Sequence, residues 1–361
     1  MECVGAVFIA GLLSVIVIGG LVLNKFNRRE HEESLRALAQ RRSLHLEAGS
    51  MFQHPVLRGY LNDVGVVLDV LTKKQGKSTV HYTRATARTR VAMPDRMELH
   101  REDVGTFVSQ MFGGQDIEIG DERLDELWRV RGRVRSDVVS LLQDSDAKLV
   151  CETLAEHRLN HMQPNQVVLH SEGRLKEEGA EALLERAAEL AQRLTDARLR
   201  PWREASERCG MTMELSHDEV TLQGDIEGFT VHIRGDLKQG STVVRVRCAP
   251  GLPAGLLVTE GEGGGLGDPI LDRMVQVQAQ NLADARPILL DEHVHGDLLA
   301  VVHAYPGSSL TQDHIDMALP WATSSALLDR IDDAVKLGVS LRSACQNRSN
   351  RGVAPRKRSK T

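Results

Sequence analysis

The phrase Gly-Asp-x-x-Leu-Asp is written twice in this chain, as GDERLDELWRV at 120–130 and as GDPILDRMVQV at 267–277. Other blocks recur around it in the same order. RALAQRRSLHLE (36–47) faces REASERCGMTME (203–214), with Leu44 and Leu46 answered by Met211 and Met213. LRGYLNDVGVVLDV (57–70) faces LQGDIEGFTVHIRG (222–235), pairing Gly59 with Gly224, Val66 with Val231 and Leu68 with Ile233. STVHYTRA (78–85) matches STVVRVRC (241–248), after which Pro94, Met97 and Leu99 match Pro253, Leu256 and Val258. Leucine pairs at 141–142 and 289–290, and the runs EALLERAAEL (181–190) and SALLDRIDDA (325–334), complete the series. A shared order of this kind marks a duplicated unit, which constrains the fold more than any single motif. The chain therefore reads as two tandem repeats, over 36–200 and 201–340.

The periods within the blocks give the fold class. Segments 57–70, 78–90 and 96–102, with their counterparts, alternate apolar and polar residues and are rich in Val and Thr, the pattern of half-buried strands. Segments 121–131, 136–142, 146–159 and 180–199 carry apolar residues at helical spacing, as in Leu183, Ala187, Leu190 and Leu194. One further strand is expected at 167–172, answered by DLLAVVHAY at 297–305, and Pro201 is expected to end the long helix and join the repeats. Neighbouring short strands followed by grouped helices predict an α+β fold in which each repeat is a mostly antiparallel sheet with helices.

Ahead of the repeats, residues 3–23 (CVGAVFIAGLLSVIVIGGLVL) are uncharged and apolar, long enough at about 1.5 Å per residue to cross a bilayer as a transmembrane helix. Lys25, Arg28 and Arg29 follow, so the positive-inside rule places the rest of the chain in the cytoplasm and makes this a single-pass protein of the cell inner membrane. Residues 24–35 read as a charged stalk that continues a helix from the membrane. At the other end, 347–361 (NRSNRGVAPRKRSKT) reads as a disordered basic tail. The net charge is -5, and the tail's six cations, set against no acid, leave -11 on everything else. A body this acidic makes nucleic acid an unlikely partner, and three Trp, three Tyr and six Phe are too few for stacking platforms. Tail residues Arg356, Lys357, Arg358 and Lys360 have the sign to contact anionic lipid, with plain solubilising disorder as the alternative.

The repeated phrase itself reads as a helix start. Asp121 and Asp268 suit the N-cap, Pro269 suits the first turn, and Asp125 and Asp272 complement the helix dipole. The competing reading, paired carboxylates for catalysis or metal, has no convergent partner. The glycine run GEGGGLGD (261–268) lacks both GxGxxG order and a GK[ST] ending, so a connection is expected rather than a phosphate loop. His157 and His161 lie four apart on an expected helix, and DEHVH groups Asp291, Glu292, His293 and His295, but neither is HExxH. Five scattered cysteines show no CxxC spacing, and Cys151 and Cys248 read as small core residues. No cofactor or metal site is expected.

HYTRA (81–85) and GDERLD (120–125) resemble stretches of uncharacterised bacterial single-pass membrane-anchored proteins, which carry a YTR-type strand and a Gly-Asp-x-x-Phe/Leu-Asp helix start. That resemblance covers about residues 1–200 and implies an anchored soluble region without implying an activity. Duplication without a catalytic constellation points first to a non-catalytic interaction or scaffold protein whose partner is a protein. A ligand-sensing module with a site between the repeats is the alternative. An enzyme would require distant groups such as Asp125, His293 and His295 to converge.

Overall fold

The computed structural model describes residues 29–50, 53–76, 78–101, 116–248, 250–320 and 323–352. The expected span at 3–23 and the tail cations Arg356, Lys357, Arg358 and Lys360 lie outside these residues. Among the described residues no helix is long and apolar enough to cross a membrane.

Helix α1 (29–42) leads into β1 (His45–Glu47), β2 (Val56–Leu61), β3 (Val64–Gln75), β4 (Ser78–Arg88) and β5 (Glu98–Arg101). Then come α2 (Glu122–Leu127), β6 (Trp128–Arg131), α3 (Arg135–Leu142), α4 (Ser145–Leu154), β7 (His161–Gln163), β8 (Gln166–Glu172) and the long α5 (Glu177–Cys209). The series repeats as β9 (Thr212–Leu215), β10 (Glu219–Ile226), β11 (Phe229–Asp236), β12 (Ser241–Arg247), β13 (Leu257–Glu260), α6 (Leu271–Met274), β14 (Val275–Gln278), α7 (Leu282–Leu289), α8 (Glu292–Ala304), β15 (Ser309–Thr311), β16 (His314–Pro320) and α9 (Ser324–Gly352).

Each copy builds an eight-stranded antiparallel sheet. The orders are β1-β2-β3-β4-β8-β7-β5-β6 and, read from the matching edge, β9-β10-β11-β12-β16-β15-β13-β14. They correspond strand for strand, so the fold is α+β in two repeats. Both copies open with the same tight hairpin, because Asn62 and Asp63 in one and Glu227 and Gly228 in the other all take positive φ. Apolar residues on one face of each sheet make the core: Val66, Leu68, Ala85, Leu99 and Leu169 in the first, Val231, Ile233, Val244, Val258 and Met317 in the second.

Ladder register fixes which residues are equivalent. Leu68 faces Ala85, and Ile233 faces Val244. The two STV triplets at 78–80 and 241–243 are therefore displaced from one another: Ser241 holds the place of Tyr82, and buried Thr242 that of buried Thr83. The cause is a longer first hairpin, whose β3–β4 ladder continues to Gln75 and Ser78 while β11–β12 ends at Asp236 and Ser241.

Several expected boundaries move. Segment 297–305 is not a strand but part of α8, where Val294, Leu298, Val301 and Val302 bury one helical stripe; β16 is the strand of that rank. The helix expected over 121–131 stops at Leu127, and Trp128 and Val130 turn inward as alternate residues of β6. Helix 146–159 ends at Leu154. Pro201 lies inside α5 instead of ending it, because Leu199, Trp202 and Ala205 around it are buried and their packing outweighs the lost backbone bond. Residues 29–35 of the expected stalk are helical, as the start of α1, with His31 and Leu35 buried. Likewise α9 continues to Gly352, and Arg348, counted with the tail, pairs with Asp284 and donates to the Asp284 carbonyl at 2.8 Å.

Packing divides the chain into two units that do not follow the repeat boundary. The first runs to Arg90 and adds Arg96–Arg131 and Ser145–Thr195; the second takes Val91–Asp95, Gly132–Asp144 and everything from Asp196. Helix α3 thus belongs to the second unit, and α5 contributes to both.

Candidate functional site

The repeated phrase is a local latch. Asp121 accepts the Leu124 amide at 3.3 Å and the Lys148 ammonium at 2.8 Å, and Lys148 together with that amide holds its carboxyl below the usual range. Asp125 reaches back to accept the amides of Ile119 (2.8 Å) and Gly120 (3.0 Å). In the second copy Asp268 accepts from Ile270 and Leu271, both at 2.9 Å, and Asp272 accepts from Leu266 (2.8 Å) and Gly267 (2.9 Å). A basic side chain recurs as well: His295 on α8 stands where Lys148 stands on α4, its Nε2 3.4 Å from Asp268. The second Asp of the motif therefore ties down the incoming loop, a task beyond the helix-dipole role expected for it. Asp125→Ala is expected to cost about 1–3 kcal/mol through two stranded amides, read as a lower urea midpoint.

The other sequence candidates are also taken up locally. Glycine-run amides at Gly261, Gly263, Leu266 and Gly267 already donate to Met274, Asp272 and the Asp272 side chain, so the run wraps α6 and presents none of those amides to an anion. Asp291 caps α8 by accepting the His293 amide at 3.3 Å. Asp125 and His295 each have the local partner just described. Burial pushes the thiols of Cys151 and Cys248 up to about 12, opposite to what a nucleophile requires. Among the described residues no group of His, Cys, Asp and Glu is placed to hold a metal ion.

His157 and His161 do come together, but by another route. With α4 ending at Leu154, His157 lies in the following turn and His161 on β7. His100, His161, His170 and His157 then form a row of stacked imidazoles, with successive centroids 5.4, 5.8 and 6.4 Å apart. Tyr82 closes the row edge-on to His157 at 6.0 Å. Parallel rings at this spacing cannot converge on one cation at metal–nitrogen distances of about 2.1 Å. Hydrogen bonds set the protonation: His161 Nδ1 donates to the Leu159 carbonyl at 2.8 Å, while its Nε2 lies 3.2 Å from the Gln163 amide. His157 Nδ1 accepts the Leu159 amide at 3.3 Å. The buried Nδ1 of His170 has no hydrogen-bond partner. Directly opposite it on β4 stands Arg84, itself bonded to Asp69 on β3.

Burial, helped by His161, Arg84, His157 and Lys73, pulls His170 down to about 3; burial also lowers His161 and His157. A folded-state value depressed below the ordinary 6.5 gives stability that is present above that pH and lost as pH falls toward 3. The urea midpoint is therefore expected to drop as pH is lowered below about 6.5, and His170→Ala to flatten that drop.

A second histidine site lies on the other side of β4. A cavity of about 610 Å³ opens between the start of α1 and the ends of β4 and β8, lined by His31, Ser34, Thr79, His81 and Arg174 among others. His31 Nδ1 donates to the Leu175 carbonyl at 3.1 Å, leaving Nε2 buried with no partner. Arg174 lies 3.5 Å from His81 Nε2, and Lys176 pairs with Glu30 at 3.1 Å. Burial and the Arg174 charge lower both His31 and His81.

His100, His170, His31 and His81 escape sequence reasoning because their neighbours are lateral, supplied by strand pairing and helix packing. Only the alternation of β4 and β8 hinted that His170 and Tyr82 leave the core face.

No protein-family model matches the chain, and no curated protein matches it. Among solved structures it is similar to the crystal structure of the mycobacterial trehalose monomycolate transport factor A, TtfA, with 18% identity, a TM-score of 0.28, and coverage of 41% of this chain and 94% of that one. A likeness at that level carries no argument about fold or function.

Proposed function

We propose that the chain is a membrane-anchored, non-catalytic interaction protein in which the second copy is framework and the first carries the recognising surface. One observation supports this reading above others. At equal sheet positions His100, His161 and His170 are answered by Thr259, Ser309 and Ala318, as the ladders Leu99–Met162, Val258–Leu310, Ala85–Leu169 and Val244–Met317 align them. The fold is built without these imidazoles in one copy, so their presence in the other serves something besides folding. Their stacking offers flat faces and ring nitrogens for recognition, and burial favours the neutral form of His161 and His170.

Anchoring follows from the apolar 3–23 segment, with Lys25, Arg28 and Arg29 holding the soluble region on the cytoplasmic side of the inner membrane. This matches the anchored proteins that the HYTRA and GDERLD stretches resemble. Near that surface Arg356, Lys357, Arg358 and Lys360 each gain about 1 kcal/mol from anionic lipid. Reporter fusions at the C-terminus test the orientation, and an exported C-terminus refutes it.

The recognition reading is tested by grafting the second copy's residues onto the first, as His100→Thr, His161→Ser and His170→Ala together. Cross-linking of the full chain in its native membrane is expected to join a defined protein to the wild type and to lose it in the triple variant, with the melting profile retained. Equal capture by both forms removes the reading.

A further inference from the structure

The β3–β4 hairpin of the first copy is longer than its counterpart, and the added length carries charge. With Leu68 and Ile233 at one level, the β11–β12 ladder ends at Asp236 and Ser241, the level of Leu71 and Tyr82. Beyond that level β3 and β4 add Thr72 opposite His81, Lys73 opposite Val80, Lys74 opposite Thr79 and Gln75 opposite Ser78. The stretch TKKQGKST (72–79) has three lysines and no acid, where the corresponding turn DLKQGS (236–241) has one of each. Lys73 and Lys74 are exposed, and among the described side chains of 72–81 none is buried. The second copy folds without this extension, so it serves something besides packing.

The hairpin projects from the end of the first unit at which the chain enters. Helix α1 runs along the strands: just past its far end Leu44 lies on Gly59, and its first turn shares the cavity wall with Thr79, Val80 and His81. From the level of His81 the hairpin continues three residues to Ser78, about 10 Å, whereas α1 has two residues before His31, about 3 Å. Its tip therefore stands about 7 Å beyond the start of α1. From Leu23, the last residue of the apolar 3–23 segment, to Arg29 the chain spans at most about 20 Å even when fully extended. The cavity wall itself is balanced, with Glu30 and Glu172 against Arg174 and Lys176. Of the other acids opening α1, Glu32 pairs with Arg36 at 3.2 Å and Glu33 is outnumbered by Lys25, Arg28 and Arg29. The hairpin lysines thus add to an end that is already net positive.

We propose that the β3–β4 hairpin docks on the bilayer that anchors the chain, with Lys73 and Lys74 meeting anionic phospholipid headgroups. Outside its tail the chain carries -11, so an anionic surface repels most of the body and attracts this end. Such attraction fades over a Debye length of about 8 Å, and the projection of the hairpin is what carries its lysines into that range. The short tether keeps them at high local concentration beside lipid, which favours headgroups over an acidic protein arriving from solution. This docking rests on the anchoring reading above and adds which end of the first unit faces the membrane.

The test uses the full chain in nanodiscs, with an environment-sensitive fluorophore carried by a non-natural residue at position 78 and a nitroxide quencher on the lipid headgroups. Quenching is expected to deepen when about a third of the phosphatidylcholine is replaced by phosphatidylglycerol. Lys73→Gln with Lys74→Gln is expected to lower the docked-to-free ratio about thirtyfold, from about 1 kcal/mol for each lysine. Both lysines are exposed, so the variant keeps the wild-type melting profile. Molar salt, which shortens the Debye length to about 3 Å, is expected to undock the hairpin as well. Lys238→Gln, in the exposed turn of the second copy, is expected to change nothing. Equal quenching with and without phosphatidylglycerol, quenching that survives the lysine changes or the salt, or an equal loss from Lys238→Gln overturns the proposal. Incorporation into the discs is read separately. A chain that stays out of them refutes the anchoring and the docking together, whereas a chain that inserts without quenching refutes the docking alone.

Discussion

Asp137→Ala is expected to cost about 3–5 kcal/mol of stability, enough to unfold a marginal chain at ambient temperature. Arg198 on α5 and Asp137 on α3 are each 1% exposed, and both carboxylate oxygens accept from the guanidinium, which also donates to the Leu237 carbonyl at 2.6 Å, so removing the carboxylate leaves a buried charge without its counter-ion. The pair is not a net source of stability to the same extent, because each ion had to be desolvated first. Replacing both together, as Asp137→Leu with Arg198→Met, is therefore expected to recover most of the loss. Urea midpoints of the single and double variants check this, and a double variant no better than the single ones refutes the buried-charge account.

Trp202→Ala is expected to lose a similar amount, about 3–5 kcal/mol, for a different reason. Its ring, 1% exposed, fills the space over Gly235, where any Cβ would overlap it. At the positions that hydrogen bonding and register align with Trp202 and Gly235, the first copy carries Leu35 on the helix and Val70 on the strand. Large-on-small in one copy and medium-on-medium in the other keep the total volume near constant. Trp202→Leu combined with Gly235→Val is accordingly expected to melt well above Gly235→Val alone. Calorimetry of the set reads the difference directly.

The repeat and its α+β character were legible because every copied block keeps its own period. Gly59 and Gly224 show why: each lies close against the residue two places past the opening helix, Leu44 or Met211, so both copies favour a glycine there. What stayed hidden was hidden for physical reasons. The run DLLAVVHAY is apolar enough to fit either period, and only the burial of Leu298, Val301 and Val302 on one stripe decides for helix. Pro201 misleads because local breaking strength is outweighed by tertiary packing. The STV triplets mislead because a lengthened hairpin shifts identical letters out of register. Of the candidate sites, the Asp121 and Asp268 turns could be read from spacing alone, since a cap is a contact within one turn. The imidazole row and the cavity could not, since His100 and His161, or His31 and Leu175, meet only through pairing and packing across long stretches of chain.

Helix α5 closes the first copy and opens the second without interruption over 33 residues, and α9, which closes the second, is nearly as long at 29 residues. The heritable module is therefore a sheet plus its trailing rod, each rod serving as the threshold for whatever comes next. Copying such a module needs no new junction, since α5 already serves its own sheet and the next with one unbroken rod.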